Sequence, residues 1–472
     1  LTVEAKDIQL INGDAGVTGL FTQAGSSSTG NGGELNVKTN NLLVQDGAKI
    51  DANTFSSGKS GNLTVEAEDI QLIGESPNGI SSGLFAQASR DSTGNAGNLT
   101  IISNNLLVKD GADIRNDTFA SGNAGNLTIQ TDNFTVESGS QIGVGTFANA
   151  RGGNLTVEAK DILLTGRSTS GTKSGLFTEA TSSSTGDGGD LNINTTTLQV
   201  EDGAIVSARS LSTGRAGNLD IDADSILLNN NASLNASTRS NKIDPQGREQ
   251  ATITINSKDL ILRHSSNIFT EATGENVVGG SININSDVIA ALENSDISAD
   301  SDNFRGGNVN IITKGIFGTQ FREQATDKSD ITASGANSEL SGSVEIDGLE
   351  QDPAETLTQL PSVPVSGEVY QACQPNDGNQ SEFYFTGNGG LPPNPRDYLN
   401  SESVDVGWVS LPNQTGQVSG VEKENLQTPS KIQPPIVEAT NLVANKNGDV
   451  FLVAQAPNGG NSGISSGFCL KK

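Results

Sequence analysis

Short runs in which apolar and polar residues alternate recur along the first 348 residues of the chain. Residues 1–10 return nearly unchanged from Leu63 and again from Leu155. Alternation with a period of two over three or four residues is typical of short β-strands with one buried and one exposed face. No stretch shows a sustained apolar period of 3.6 residues, so the pattern predicts an all-β chain with almost no helix.

The runs belong to a repeat of 27–36 residues, and 28 is the basic length. In the second unit the three runs are residues 35–37, 42–44 and 50–52, separated by turn signals such as Asp46-Gly47. Three strands with a fixed return length describe one coil of a parallel β-helix, and neighbouring coils stack about 4.8 Å apart. About twelve coils are expected over residues 1–348, in a rod of about 55 Å, and the longer units are expected to carry their extra residues in one loop. The units begin at Leu1, Leu35, Leu63, Leu99, Leu127, Leu155, Leu191, Leu219, Ile253, Ile282, Val309 and Val344.

Two columns of residues support this register. The second residue of the first strand is Thr or Asn in ten of the twelve units, and such side chains can bond to their copies one layer away. A Gly-Asn pair precedes the first strand in six places. Both residues tolerate a left-handed backbone conformation, so a left-handed corner is predicted there. The first column is Thr2, Asn36, Thr64, Thr100, Thr128, Thr156, Asn192, Asp220, Thr254, Asn283, Asn310 and Glu345.

The periodicity ends near residue 348, and the remaining chain is predicted to be organised differently. Residues 349–368 contain three prolines and are interpreted as a linker or cap, and residues 369–411 as a small module rich in Gly and Pro that includes Cys373. A polar linker is predicted at 412–435. Residues 436–472 are predicted to form a β-hairpin segment, with its turn at Asn447-Gly448.

Composition narrows the class of protein. Hydrophobic residues make up only 33% of the chain and there are 56 glycines, so one thick globular core is excluded and a narrow core renewed in every coil is favoured. The net charge of −27 disfavours nucleic acids and anionic membranes as partners. No apolar run approaches a transmembrane span, and no signal peptide is visible. We therefore expect a C-terminal portion of a longer polypeptide.

Candidate chemistry is sparse, and no catalytic, cofactor or metal site is predicted. His264 is the only histidine, which excludes a histidine-based metal site and favours a solvated turn residue over a catalytic base. Two carboxylate sets could serve a carbohydrate-active β-helix enzyme, but acids also decorate turns and solvated faces. These sets are Asp220 and Asp222 with Arg215, and Asp296, Asp300 and Asp302 with Arg305. Asp-rich turns predict weak, non-specific cation binding at most.

The C-terminal region carries a specific resemblance. Gly387, Gly389 and Gly390 lead into the run Leu391-Pro392-Pro393-Asn394-Pro395, with Cys373 before it and Trp408 and Ile436-Val437-Glu438-Ala439 after it. Together with the repeats, these residues resemble filamentous-haemagglutinin-like exoproteins of two-partner secretion systems, the cyanobacterial type most of all. Asn388 departs from the Arg that is usual in this family, which removes any ionic role of that Arg.

The resemblance implies a right-handed, pectin-lyase-like β-helix that is exported through an outer-membrane pore partner and displayed on or released from the cell surface. The secretion-recognition region of such proteins is N-terminal to the repeats. The predicted function is a secreted or cell-surface structural or adhesive exoprotein, not an enzyme, that presents repetitive polar faces to cells or glycans. A polysaccharide lyase or hydrolase and a surface-layer assembly protein are the alternatives.

Cys373 and Cys469 are the only cysteines, and both lie late in the chain. A disulfide between them is the expectation in an oxidising compartment, and two unpaired cysteines are the alternative.

Overall fold

A computed structural model describes residues 1–12, 18–242 and 250–348, and two short strands near the C-terminus. The chain divides into two compact units, Leu1–Gly367 and Glu368–Lys472.

The first unit is a stack of coils whose strands form two parallel sheets, sheet A with seventeen strands and sheet B with twelve. We number the coils 1–12 by the starting residues given above. The strands of sheet A are Thr2–Glu4, Asp7–Ile11, Leu35–Lys38, Asn41–Gln45, Leu63–Glu66, Asp69–Ile73, Leu99–Ile102, Asn105–Lys109, Leu127–Glu137, Leu155–Thr165, Leu191–Glu201, Leu219–Asn229, Ile253–Arg263, Ser281–Ala291, Asn308–Ile312, Gly315–Phe317 and Ser343–Asp347. Those of sheet B are Gly19–Phe21, Lys49–Asp51, Gly83–Phe85, Asp113–Arg115, Gln141–Thr146, Gly175–Ala180, Ile205–Ser207, Ser233–Asn235, Asn267–Phe269, Ile297–Ser298, Gln320–Phe321 and Asp330–Thr332.

The predicted parallel β-helix is confirmed: eleven coils contribute strands to both sheets, and the twelfth is described by the single strand Ser343–Asp347. The column that begins with Thr2, Asn36 and Thr64 is paired coil by coil as the sequence indicated. The first two runs of each coil, however, lie in the same sheet. In coil 5 they fuse into one strand of eleven residues, Leu127–Glu137. Eleven steps of about 4.8 Å separate the first and last coils by about 53 Å.

Each coil contributes a few apolar side chains to one continuous core. In coil 3 these include Leu63, Val65, Ile70, Leu72 and Leu84, each at most 1% exposed. Removing such a side chain from water stabilises the fold by about 1.5–3 kcal/mol. The equivalent side chains of the next coil pack directly on these, so a few apolar residues are sufficient to form the core in every coil.

The extra residues of the 36-residue coils are divided between two loops, which corrects the expectation of one. In coil 3 the connection from sheet A to sheet B spans residues 74–82, whereas coil 4 uses only 110–112. Coil 6 repeats this long connection at 166–174. After sheet B, coils 3 and 6 each carry two further residues relative to coils 4 and 5. Coils 3 and 6 therefore rise above coils 4 and 5 on both sides of sheet B.

The Gly-Asn corner is not left-handed, so this prediction was wrong. Neither Gly125 nor Asn126 has a positive φ among the residues described. A Cβ at Gly125 would lie 1.9 Å from the carbonyl oxygen of Gly97 in the coil below. The Asn126 side-chain oxygen accepts a hydrogen bond of 3.0 Å from the Asn154 amide. Glycine is thus needed for close stacking of backbones, and asparagine for a ladder of side-chain acceptors.

In the second unit, Asn441–Ala444 pairs antiparallel with Val450–Val453. The antiparallel pair is a β-hairpin with its second strand at Val450–Val453. The predicted first strand at residues 436–440 and the predicted turn at Asn447-Gly448 lie outside the described residues and stay predictions.

The one helix among the described residues is a 3-10 turn, Ser338–Leu340. No described helix has the length and hydropathy to cross a membrane.

Candidate functional site

The long connections of coils 3 and 6 fold as two similar hairpins, which we call hairpin 3 (residues 74–82) and hairpin 6 (residues 166–174). In hairpin 3 the Ser76 amide donates to the Ile80 carbonyl at 2.8 Å, and the Gly79 amide donates to the Ser76 carbonyl at 2.8 Å. Ser168, Thr172 and Gly171 repeat this arrangement in hairpin 6. Gly79 and Gly171 have φ values of +73° and +89°, which glycine adopts without strain. A shared Ser-x-x-Gly sequence therefore closes both hairpins.

Each hairpin is anchored to neighbouring coils. The Ser82 hydroxyl accepts from the Gly47 amide, and the Ser174 hydroxyl accepts from the Gly139 amide, both at 2.8 Å. Carboxylate atoms of Glu75 occupy the space that a side chain at Gly111 would need. The guanidinium of Arg167 does the same at Gly203. Glycines in the short corners thus make room for the hairpin side chains.

A cleft of about 570 Å³ lies between the two hairpins, above coils 4 and 5. Its volume is in the range of sites for small molecules, about 300–1,000 Å³. Gly111, Asp113, Gly139 and Gln141 form its floor. The walls and corners are contributed by Glu75, Asp110, Ser138, Arg167, Ser168, Thr169, Ser170 and Thr172.

Charged groups surround the floor of the cleft. Asp113 accepts from the Gln141 amide at 3.1 Å, and burial raises the pKa of its carboxyl despite the opposing effect of Arg115. Arg115 Nε lies 2.8 Å from Asp117 Oδ2, and the Asp117 side chain is only 2% exposed. Asp117 also accepts from the Gly145 amide at 2.6 Å. This ion pair holds the backbone of coils 4 and 5 beside the cleft.

Hairpin 6 carries a second charged group. Burial lowers the pKa of Lys173, and the positive charges of Arg167 and Arg209 act in the same direction. Arg209 Nε lies 2.8 Å from Glu179 Oε1. Hairpin 6 is therefore cationic and presents hydroxyls to the cleft, whereas Glu75, Asp110 and Asp113 make the coil 4 side and the floor acidic.

The structure places His264 in a corner between sheets A and B, with a φ of +51°. Its Nδ1 is 2.8 Å from Asn229 Oδ1 and its Nε2 is 3.2 Å from Glu293 Oε2. Its described contacts are polar groups of adjacent coils, not a serine or cysteine nucleophile.

The first carboxylate set is divided between ladders. Asp220 and Asp222 are paired in register with Thr254 and Asn256 on sheet A, and Asp222 accepts from the Asn256 amide group at 2.7 Å. Burial raises the pKa of Asp220. Arg215 Nε lies 3.4 Å from Asp187 Oδ2 in the coil below. These contacts connect coils and do not surround a cleft.

The second set lies in coil 10, before and after its sheet B strand Ile297–Ser298. Asp296 accepts from the Asp330 amide at 2.8 Å, and Asp300 accepts from the Thr332 hydroxyl at 2.9 Å. Burial, and secondarily the charge of Asp300, raise the pKa of Asp296 to about 6. Asp302 belongs to the loop after sheet B, and the carbonyl of Arg305 accepts from the Gly279 amide at 2.9 Å. No three His, Cys, Asp or Glu residues within the described parts of the chain have a metal-binding arrangement.

Cys373 and Cys469 lie outside the described residues, so their disulfide remains a prediction. Comparisons with protein-family models, with curated proteins and with solved structures each find no match to this chain.

The cleft residues were not among the sequence candidates. Glu75 and Arg167 are 92 positions apart in the chain and are brought to one site by three steps of coiling. The available signal was the pair of 36-residue units, both with Ser-x-x-Gly in the added segment.

Proposed function

We propose that this chain is a secreted or cell-surface structural and adhesive exoprotein, without enzymatic activity, whose repeated polar faces contact cells or their glycans. Many weak contacts along one stack would act together, since linked sites raise the overall avidity above that of each site alone.

The observation that carries the proposal is an exposed ladder of amides and carboxylates on sheet A. Asn41 donates to Asp7, and Asn105 donates to Asp69, both at 2.6 Å. Asn133 continues the column by donating to Asn105 at 2.7 Å. Each amide has a second hydrogen and each oxygen a further lone pair, so the column can bond outward at regular steps.

Export is supported by the resemblance at residues 387–395 and by the repeats, together with the net charge of −27, which favours a soluble, extended surface. The proposed partners are an outer-membrane secretion pore during export and glycans after export. The location is the outer-membrane surface or the medium.

A bead assay tests the adhesive role. Beads coated with the full chain at increasing density are placed on cells and on glycan-coated surfaces, with albumin-coated beads as the control. We expect attachment to rise more steeply than the coating density, because several contacts must form together. Attachment no greater than that of the control at every density would contradict the proposal.

A further inference from the structure

We propose that the cleft between hairpins 3 and 6 binds a short segment of a neutral, hydroxyl-rich glycan. This deepens the proposed function, on which the glycan class rests, by assigning one discrete site to a stack whose other outer faces are repetitive.

The two walls differ in hydrogen-bonding character. Glu75 and Asp110 supply acceptors on one wall and Asp113 on the floor, whereas the hydroxyls of hairpin 6 supply both donors and acceptors on the other wall. Hydroxyls follow along hairpin 6, where Ser168 Oγ lies 2.7 Å from Ser170 Oγ. A sugar hydroxyl donates and accepts, so one pyranose ring can satisfy both walls at once.

Charge argues against ionic polymers. A polyanion would place its charges beside the three carboxylates, in the field of a chain with a net charge of −27. A polycation would be repelled by hairpin 6, which carries the positive charges of Arg167 and Lys173. A neutral polyol avoids both penalties.

The floor argues against an extended peptide. Peptides often add a strand to an open sheet edge, but the strands beneath the cleft are internal to sheet B. Asp113–Arg115 pairs with Gly83–Phe85 on one side and with the strand from Gln141 on the other. Backbone amides at the floor are also taken, since the Gly139 amide donates to Ser174 and the Gln141 amide to Asp113.

The site is held ready before any ligand arrives. Hairpins 3 and 6 stand on coils three layers apart, or about 14 Å between backbones. Ser82 and Ser174 fix their bases by hydrogen bonds to neighbouring coils. A preformed site loses little conformational entropy on binding.

Titration calorimetry of the full chain with cellotetraose, maltotetraose and mannotetraose, and with tetragalacturonate as an acidic probe, tests the proposal. We expect at least one neutral tetrasaccharide to bind, and the acidic probe to bind more weakly. The double variant Glu75→Gln/Ser170→Ala is expected to weaken the neutral binding at least tenfold, because it removes one charged acceptor and one hydroxyl from the two walls.

The matched control is Asp161→Asn/Ser57→Ala, which removes one carboxylate and one hydroxyl from exposed positions outside the cleft. It is expected to leave binding within twofold. A second wall variant replaces residues 166–174 with the Asp-Gly-Ala corner found at Asp202-Gly203-Ala204. Since 28-residue coils use this corner, the fold is expected to persist while binding is lost.

The cleft proposal is overturned if no neutral tetrasaccharide binds, or if both wall variants bind as the parent does. The bead assay separates this result from the broader role. Beads that attach equally well with and without the wall substitutions, coated with a chain that binds no neutral tetrasaccharide, would support adhesion by other faces and reject the cleft. Tetrasaccharide binding without bead attachment would support the cleft and reject the adhesive role.

Discussion

At the residue scale, close stacking is governed by glycines that have no room for a side chain. A Cβ at Gly125 would be 1.9 Å from the Gly97 carbonyl oxygen, and one at Gly153 would be 1.8 Å from that of Gly125. By contrast, a Cβ at Gly25 meets nothing within 4 Å. Two glycines in one chain thus offer a matched pair for the same substitution.

Gly125→Ala is expected to destabilise the stack by about 2–3 kcal/mol, because two coils must separate to admit one methyl group. Gly25→Ala is expected to change stability by no more than about 0.5 kcal/mol. Urea unfolding followed by circular dichroism measures both. Equal midpoints for the two variants would show that the coils do not stack this closely.

Asp51 is a second residue whose environment conflicts with its charge. It is 6% exposed, and burial raises its pKa to about 6 from an ordinary value of 3.8, against the Asn53 amide and the charge of Lys49. The folded state therefore holds the proton more tightly than the unfolded state. This contribution to stability is greatest in acid and declines as the pH rises from about 4 to about 6.

Asp51→Asn is expected to raise the unfolding free energy by about 2–3 kcal/mol at pH 7.5, and by about 1 kcal/mol at pH 4.5. Asn keeps an oxygen for the Asn53 amide, which now donates to Asp51 at 2.9 Å. The exposed Asp161→Asn removes the same charge and serves as the control. A gain that is the same at both pH values would contradict the burial of an ionised Asp51.

At the element scale, the corners between sheets A and B form a column of left-handed turns. Coils 2, 4, 5 and 7 place glycine at the second position, at Gly47, Gly111, Gly139 and Gly203. Coil 9 has Ser265 there, with a φ of +60°. A left-handed non-glycine residue costs about 1–2 kcal/mol, more than the roughly 0.5–1 kcal/mol of entropy that glycine loses on folding.

Ser265→Gly is accordingly expected to stabilise the stack by about 0.5–1 kcal/mol. Ser57→Gly provides the comparison, because Ser57 is exposed and has no positive φ. Ser57→Gly is expected to lower stability slightly, because glycine loses more conformational entropy on folding than serine does. Thermal unfolding of both variants measures these changes. A melting temperature of Ser265→Gly below that of the parent would argue against a strained corner.

At the scale of the whole stack, each coil contacts mainly its two neighbours, so stability is close to a sum over layers. Coil 5, residues 127–154, begins after Gly125-Asn126 and ends with Gly153-Asn154. A tandem copy of these 28 residues would therefore join coil 5 and coil 6 through native corners.

Duplicating coil 5 is expected to leave the ellipticity per residue and the melting temperature unchanged or higher, and to raise the urea m-value by roughly one-twelfth. The copy also moves hairpins 3 and 6 one layer further apart, so tetrasaccharide binding is expected to weaken. A new transition at low temperature would contradict a stack that accepts layers independently.

The sequence alone determined the all-β class, the twelve coils and their register. Leu, Ile and Val recur at fixed steps, and a slip by one residue would turn the apolar face of a strand outward. Local turn chemistry also predicted a bend at Asp46-Gly47. These features depend on residues that are close in the chain or that repeat.

Only the tertiary structure decided which glycines are left-handed, how the three runs divide into two sheets, and where a cleft lies. The Gly125 requirement comes from a carbonyl 28 residues away, and the cleft joins Glu75 to Arg167 across coils. Such effects depend on distances between layers. Period and composition specify which residues align, but not how closely backbones approach or which side chains two separate hairpins bring together.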